Sequence, residues 1–249
     1  MKTVVITGAN RGIGYGLVRQ FLASKADCIF ATYRQVDRSK ELFALAKEHS
    51  TTIIPIQLDI IDDTSVRKAV DKVQETLNGK DLNCLINNAG IATKLNFFCI
   101  NEKDMMETYR QNVIGPWKVT KAFLPLLEKS ASQLKQRDIK QSSVVNISSI
   151  ISSLQLAKNL PNNYYDYQCS KAALNMLTIC MGKDFEKKKI FFSLLHPGWV
   201  KTEMGTDKAP LTTDAAAKNI LECLQAMTNE YYCKLIDTRD GKKLTVIPF

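Results

Sequence analysis

Short β-branched runs alternate with longer stretches of helical period along the whole chain, and this alternation restricts the fold more than any other feature. Candidate strands lie at Thr3–Thr7, Asp27–Tyr33, Thr52–Leu58, Leu82–Asn87, Ser142–Ser148 and Ile190–His196, with a weaker seventh near Cys233–Asp237. Helical patterns run near Gly14–Ser24, Lys40–His49, Thr64–Leu77, Asp104–Leu127, Asp166–Glu186 and Thr213–Thr228. The strands are nearly continuous apolar runs, such as Val4-Val5-Ile6 and Ile53-Ile54-Pro55-Ile56, as expected when both sheet faces are covered. Strands joined through helices require right-handed crossovers. The expectation is an α/β fold with one doubly wound parallel sheet of about seven strands and helices on both faces. No linker, repeat or charge block divides the chain, so residues 1–249 are expected to form a single domain.

Composition narrows the function classes. Thirty-four basic residues against 25 acidic leave a net charge of +9, a balance that suits nucleic acid or an anionic small molecule. The Lys and Arg residues are scattered, so a solvated basic surface with no nucleic-acid partner is expected. Seven Cys show no C-x-x-C pairing and only two His exist, which excludes the spacing of a zinc site and leaves no metal to expect. An odd cysteine count fits free thiols in a reducing compartment. The opening apolar run is too short for a signal peptide, and no stretch has the length to span a bilayer. A soluble, cytoplasmic protein without a membrane partner is the expectation.

Directly after the first strand stands Thr7-Gly8-Ala9-Asn10-Arg11-Gly12-Ile13-Gly14, followed by a helical pattern. Glycines here permit a tight turn, approach of a pyrophosphate to the backbone and close helix–strand packing, and a helix N-terminus offers free N–H groups to an anion. The spacing is neither G-x-G-x-x-G nor that of a P-loop. Its position between strand and helix makes it a dinucleotide signal. A site reading a free ribose 2′-hydroxyl places an acid about 20 residues past the turn; here that position is Arg34. A guanidinium there pairs with a 2′-phosphate, and Arg11 adds a second charge. The cofactor is therefore expected to be NADP(H), with Asp37, three positions later, read as a helix-start residue.

Tyr167-Gln168-Cys169-Ser170-Lys171 places a phenol and an ammonium one helical turn apart on one face. A cation about 4 Å away, at an effective dielectric near 20, contributes roughly 4 kcal/mol, or about 3 pKa units, enough to bring a phenol into the range of general acid–base work. Any lone Y-x-x-x-K is commonly a surface pair, but this one has company. Ser148 and Ser149 end the fifth strand, Asn87-Asn88-Ala89-Gly90 ends the fourth, Asn112 sits within a long helical pattern, and Pro197-Gly198 follows the sixth strand. Strand ends of this kind line the ligand edge of open α/β sheets.

As an ordered set across the chain, these markers resemble the short-chain dehydrogenase/reductase family, which implies a Rossmann-type sheet. The stretch His196–Gly205, Ala209-Pro210-Leu211, and the end with Asp240-Gly241 and Pro248-Phe249 most resemble the sniffer-type, C-factor-like carbonyl reductases. The resemblance implies an NADP-dependent oxidoreductase that reduces a small-molecule carbonyl. Tyr167 would be the proton donor, Lys171 would lower its pKa and bind the nicotinamide ribose, Ser149 (rather than Ser148) would orient the carbonyl, and Asn112 would hold a water linking Lys171 to solvent. The dinucleotide would lie along Gly8, Asn10, Arg11, Gly12, Ile13 and Gly14, with Asp59, Asn88, Ala89 and Gly90 on its adenosine side. Pro197, Gly198, Val200 and Thr202 would take the nicotinamide side. The resemblance leaves the oligomeric state open between monomer, homodimer and homotetramer: the long helices near 104–127 and 166–186 often form subunit contacts in such chains, but insertions can block them.

Two departures stand out. Seventeen residues (150–166) separate Ser149 from Tyr167, a long interval for the family; Asn159, Asn162, Asn163, Tyr164 and Tyr165 suggest a loop over the site. The chain ends in Phe249 where similar chains tend to end in Trp. Cys169 reads first as a small buried hydrophobe and second as a thiol sensor. Phe97, Trp199 and Met204 read as pocket wall or core, and residues 204–213 as a lid. A different class of function, a non-catalytic NADP(H)-binding module that reports redox state to a partner, is the alternative.

Overall fold

Val4 and Ile6 point to one side of their strand and Val5 to the other, and all three are wholly buried, because helices cover both faces of the sheet they belong to. The computed structural model describes residues 1–160 and 163–249. Its strands are β1 (Thr3–Ile6), β2 (Cys28–Tyr33), β3 (Ile53–Gln57), β4 (Cys84–Asn87), β5 (Ser143–Ile147), β6 (Phe191–His196), β7 (Leu235–Asp237) and β8 (Thr245–Ile247). Its α-helices are α1 (Gly12–Ala23), α2 (Lys40–Glu48), α3 (Asp63–Leu77), α4 (Glu102–Tyr109), α5 (Gly115–Ala131), α6 (Tyr165–Asp184) and α7 (Thr213–Ala226). The sheet runs β3-β2-β1-β4-β5-β6-β7-β8. Pairing is parallel from β1 to β7, and β8 closes the edge antiparallel to β7.

Strand alternation sorts the core into two layers. Val4, Ile6, Ile29 and Ile86 pack with Leu17 and Phe21 of α1, Leu42 of α2 and Ile220 and Leu224 of α7. Val5, Phe30, Leu85 and Val144 pack with Val66 and Val73 of α3 and Val119, Phe123 and Leu127 of α5. The strand order reverses between β1 and β4, so the carboxyl ends of these strands open the crevice where a doubly wound sheet takes its ligand.

The eighth strand is an addition to the seven expected. Three residues are too few to show a period, and only Ile247 is buried, against Leu194 and Leu235. The expected helix over 104–127 is also corrected: it starts at Glu102, capped by a reciprocal Asn101–Asp104 capping box, and is interrupted by a π-helical turn, Arg110–Ile114. Pro116 has no N–H to offer the Asn112 carbonyl, and the Gly115 N–H reaches back to the Arg110 carbonyl. Wide turns of this type mark functional positions in helices. None of the described helices is long and apolar enough to cross a membrane, and all seven cysteines are free thiols.

Candidate active site

The glycine turn is built as its sequence requires. Gly8 and Gly12 hold φ of +62° and +55°, a region that L side chains avoid. A Cβ on Gly8 would lie 3.1 Å from Ala89 Cα, and one on Gly14 would run into the Gly8 carbonyl. The turn is tied to its neighbours: Ala9 N–H donates to the Thr32 carbonyl at 2.7 Å, and Asn88 Nδ2 donates to the carbonyls of Thr7 at 2.8 Å and Gly8 at 3.1 Å. Thr7 Oγ1 accepts from the N–H groups of Asn88 and Ala89. No side chain caps α1, so the N–H groups of Gly12, Ile13 and Gly14 face the crevice end without a capping partner. The cradle and its donors suit a pyrophosphate.

Arg34 is exposed just past β2. Four residues on, the structure adds Arg38, which sequence reasoning passed over; its carbonyl accepts from Asn10 Nδ2 at 2.9 Å, which joins it to the glycine turn. The available signal was its spacing, since Arg34 and Arg38 bracket one short connection before α2. Asp37 lies in that connection ahead of the helix, exposed. Asp59 sits beyond β3, where its Oδ1 accepts from Ile61 N–H at 3.2 Å.

Around the other half of the crevice, α6 carries both Tyr167 and Lys171. Its first turn is anchored by Asp166, also unremarked in the sequence, whose buried Oδ2 accepts from Thr93 N–H at 2.9 Å and Thr108 Oγ1 at 2.8 Å. Lys171 is only 4% exposed. Its ammonium donates to the Ile147 carbonyl at 2.6 Å and stands 5.6 Å from the centre of the Tyr167 ring. Burial lowers Lys171 to about 8. Partial burial likewise pushes Tyr167 up to about 12, with the neighbouring Ser149 hydroxyl pulling it back part of the way. The downward shift expected of the phenol from its ammonium neighbour is thus not what the structure shows. The cation is spent on a main-chain carbonyl, and loss of water around the phenol dominates.

The two serines that end β5 separate cleanly. Ser148 Oγ donates to Asn175 Oδ1 at 2.6 Å and is committed to the interior. Ser149 is the hydroxyl beside Tyr167. Asn112, presented by the π-turn, donates to the Ile91 carbonyl at 2.8 Å and accepts from Ile91 N–H at 2.9 Å; its Nδ2 also reaches Ser170 Oγ at 3.0 Å. Gly90 makes room for this: a Cβ there would lie 2.9 Å from Asn112 Oδ1 and 3.7 Å from Lys171 Nζ. Behind the site, Asn87 Nδ2 bonds Asn146 Oδ1 at 2.8 Å and Asn146 Nδ2 bonds Thr178 Oγ1 at 2.8 Å, fixing the ends of β4 and β5.

Known proteins share the sequence pattern and the fold of this chain. The short chain dehydrogenase model matches residues 2–211. The chain belongs to the short-chain dehydrogenase family. It is 30% identical to the short-chain dehydrogenase RED3 of Pyricularia oryzae, over 99% of this chain and 98% of that one. The NADPH-bound carbonyl reductase from chicken fatty liver superposes with a TM-score of 0.92 at 37% identity, covering 100% of this chain and 99% of the other. The carbonyl reductase Sniffer of Drosophila melanogaster superposes at 0.93 with 31% identity and full coverage of both. An oxidoreductase with the crevice of a nicotinamide dinucleotide follows from this membership.

Several features of this short-chain dehydrogenase depart from expectation. Cys169 is exposed, not a buried hydrophobe. Trp199 and Phe97 are 53% and 65% exposed and so are not core; Phe97 packs against Tyr165 with ring centres 5.6 Å apart. Of the long interval before Tyr167, residues 150–152 and 157–159 form short 3-10 turns, and Asn162 lies outside the described residues. The chain end meets this loop, since Gln155 N–H donates to the Phe249 carbonyl at 3.2 Å. After β6, Pro197 is buried, and Gly198 has φ +85°. Residues 199–211 fold back on themselves, with Lys201 N–H donating to Leu211 O at 2.8 Å and Thr202 Oγ1 accepting from Gly205 N–H at 2.8 Å.

Proposed function

We propose that this short-chain dehydrogenase reduces a ketone, aldehyde or quinone to the alcohol with NADPH. The observation that carries the reading is the Tyr167 phenol beside the Ser149 hydroxyl at the carboxyl end of β5, with the buried Lys171 ammonium one turn along α6. When bound, the reduced nicotinamide supplies the hydride. The chain's part is to hold the carbonyl and deliver a proton. A Tyr167 pKa of about 12 keeps the phenol protonated at neutral pH, the state needed to protonate an oxygen that gathers charge. Ser149 donates a hydrogen bond to that same oxygen and stabilises the charge as it forms. Lys171 spends one of its three donors on Ile147 and keeps the others for ribose hydroxyls. Asn112 braces the backbone at Ile91, next to Gly90, whose open side faces Lys171 Nζ, and is the group proposed to hold a water between Lys171 and solvent.

The preference for the phosphorylated dinucleotide is supported by Arg11, Arg34 and Arg38 around the adenosine end, where an acid would repel a 2′-phosphate. The chicken carbonyl reductase, 37% identical, is described with NADPH bound, which supports the same choice. Asp59, Asn88 and Ala89 are proposed to line the adenosine side, and Pro197, Gly198, Val200 and Thr202 the nicotinamide side. NADPH oxidation followed by absorbance, with quinones and isatin-like carbonyls offered beside NADH controls, tests the reading. Turnover that Tyr167→Phe cuts by roughly 10²-fold or more is expected. Tight NADPH binding without turnover on any carbonyl would instead favour a redox-reporting module.

A further inference from the structure

Glu203 occupies a position that the catalytic reading does not use. It lies in the 199–211 segment after β6, and its carboxylate takes Arg38 Nη2 at 2.8 and 2.9 Å while also pairing with Arg11 Nη1. Arg11 belongs to the turn after β1 and Arg38 to the connection after β2. In the sheet order, β6 stands on one side of the reversal between β1 and β4, and β2 on the other. The contact therefore crosses the ligand crevice from rim to rim. The segment that carries Glu203 is held in shape by Trp199 Nε1 donating to the Gly205 carbonyl at 2.6 Å and by the Val200–Leu211 bridge. Thr202 closes against the glycine turn, since a Cβ on Gly12 would lie 3.2 Å from Thr202 Cγ2.

We infer that Glu203 is a positioning residue for the dinucleotide: a clasp that fastens the segment after β6 to the phosphate-side arginines and slows nucleotide release. The inference rests on the proposed use of NADPH. Charge supports it. Arg11, Arg34 and Arg38 bring three positive charges, and a 2′-phosphate ester carries nearly two negative ones; Glu203 supplies the third. Each arginine has five donors, and Glu203 engages only one terminal nitrogen of each, so the carboxylate and a phosphate can share the pair. At 64% side-chain exposure, the clasp is worth only a modest factor.

Stopped-flow fluorescence gives the release rates of NADPH and NADH from the wild-type chain, Glu203→Gln and the swap Arg38→Glu/Glu203→Arg. Glu203→Gln is expected to release both dinucleotides about five-fold faster, because the clasp crosses the part common to both. The swap should restore slow NADH release while losing the extra hold on NADPH, since position 38 becomes acidic. Unchanged release from Glu203→Gln overturns the clasp, as does slower release of NADPH alone, which would make Glu203 a competitor of the phosphate. Equal affinity of the wild-type chain for NADPH and NADH would overturn the phosphate reading instead, leaving the NADH arm to judge the clasp. Binding of neither dinucleotide overturns both.

Discussion

Replacing Lys171 with Met removes a buried ammonium while keeping most of its apolar stem. The cost of holding that charge follows from its displacement, from an ordinary 10.5 to about 8; at 1.36 kcal/mol per unit this is about 3 kcal/mol. The sign follows from linkage. Between the two values the unfolded chain binds the proton and the folded chain does not, so wild-type stability rises with pH across that window. Below about 8 the full penalty is present. The Met variant carries no such penalty, but it leaves the Ile147 carbonyl without its donor, a loss of about 1–3 kcal/mol at every pH. The pH-dependent part isolates the charge. In urea unfolding at pH 7 and pH 10, wild type is expected to gain about 2–3 kcal/mol on the variant between the two conditions, while the variant has lost carbonyl reduction. A stability difference that stays flat across that range would show that burial does not strain the ammonium, and a lowered Lys171 pKa would be refuted.

Tyr167→Phe is expected to cut turnover by roughly 10²-fold or more, with NADPH affinity nearly intact, since only the acid is removed; undiminished kcat would refute its role. Carbonyl reduction should hold through neutral pH and decline as pH climbs past about 8, where Lys171 gives up its charge; a pH–rate profile flat to pH 10 would contradict this. Arg34→Asp should move the kcat/KM ratio from NADPH towards NADH, and an unmoved ratio would assign the phosphate to Arg11 and Arg38 alone. Raising salt should weaken NADPH binding more than NADH binding, because the phosphate contact is screened; titrations in which both fall equally would place the arginines elsewhere.

Much of the candidate site was legible because its signals are local. The glycine turn needs residues that accept positive φ, and the Tyr167–Lys171 spacing is set by helical pitch. The strand ends at Asn88, Ser149 and Gly198 mark one sheet edge. What escaped the sequence depends on contacts between distant segments. Arg38 gains meaning through Asn10, Asp166 through Thr93 and Thr108, and Glu203 through arginines more than 160 residues away. The π-turn at Asn112 was partly foreshadowed by Pro116, whose missing N–H frees a carbonyl one turn earlier. The three-residue β8 carried no readable period.

The order of strands and helices, the glycine turn and the identity of the chemical groups follow from the amino-acid sequence, because hydrophobic period and backbone sterics act over a few neighbours. The protonation of those groups does not. Helical spacing alone suggested a phenol acidified by its neighbour. The folded chain instead buries Lys171 and half-buries Tyr167, turns the ammonium onto Ile147, and moves Tyr167 up to about 12 and Lys171 down to about 8. Desolvation depends on everything packed around a group, and only the tertiary structure decides that.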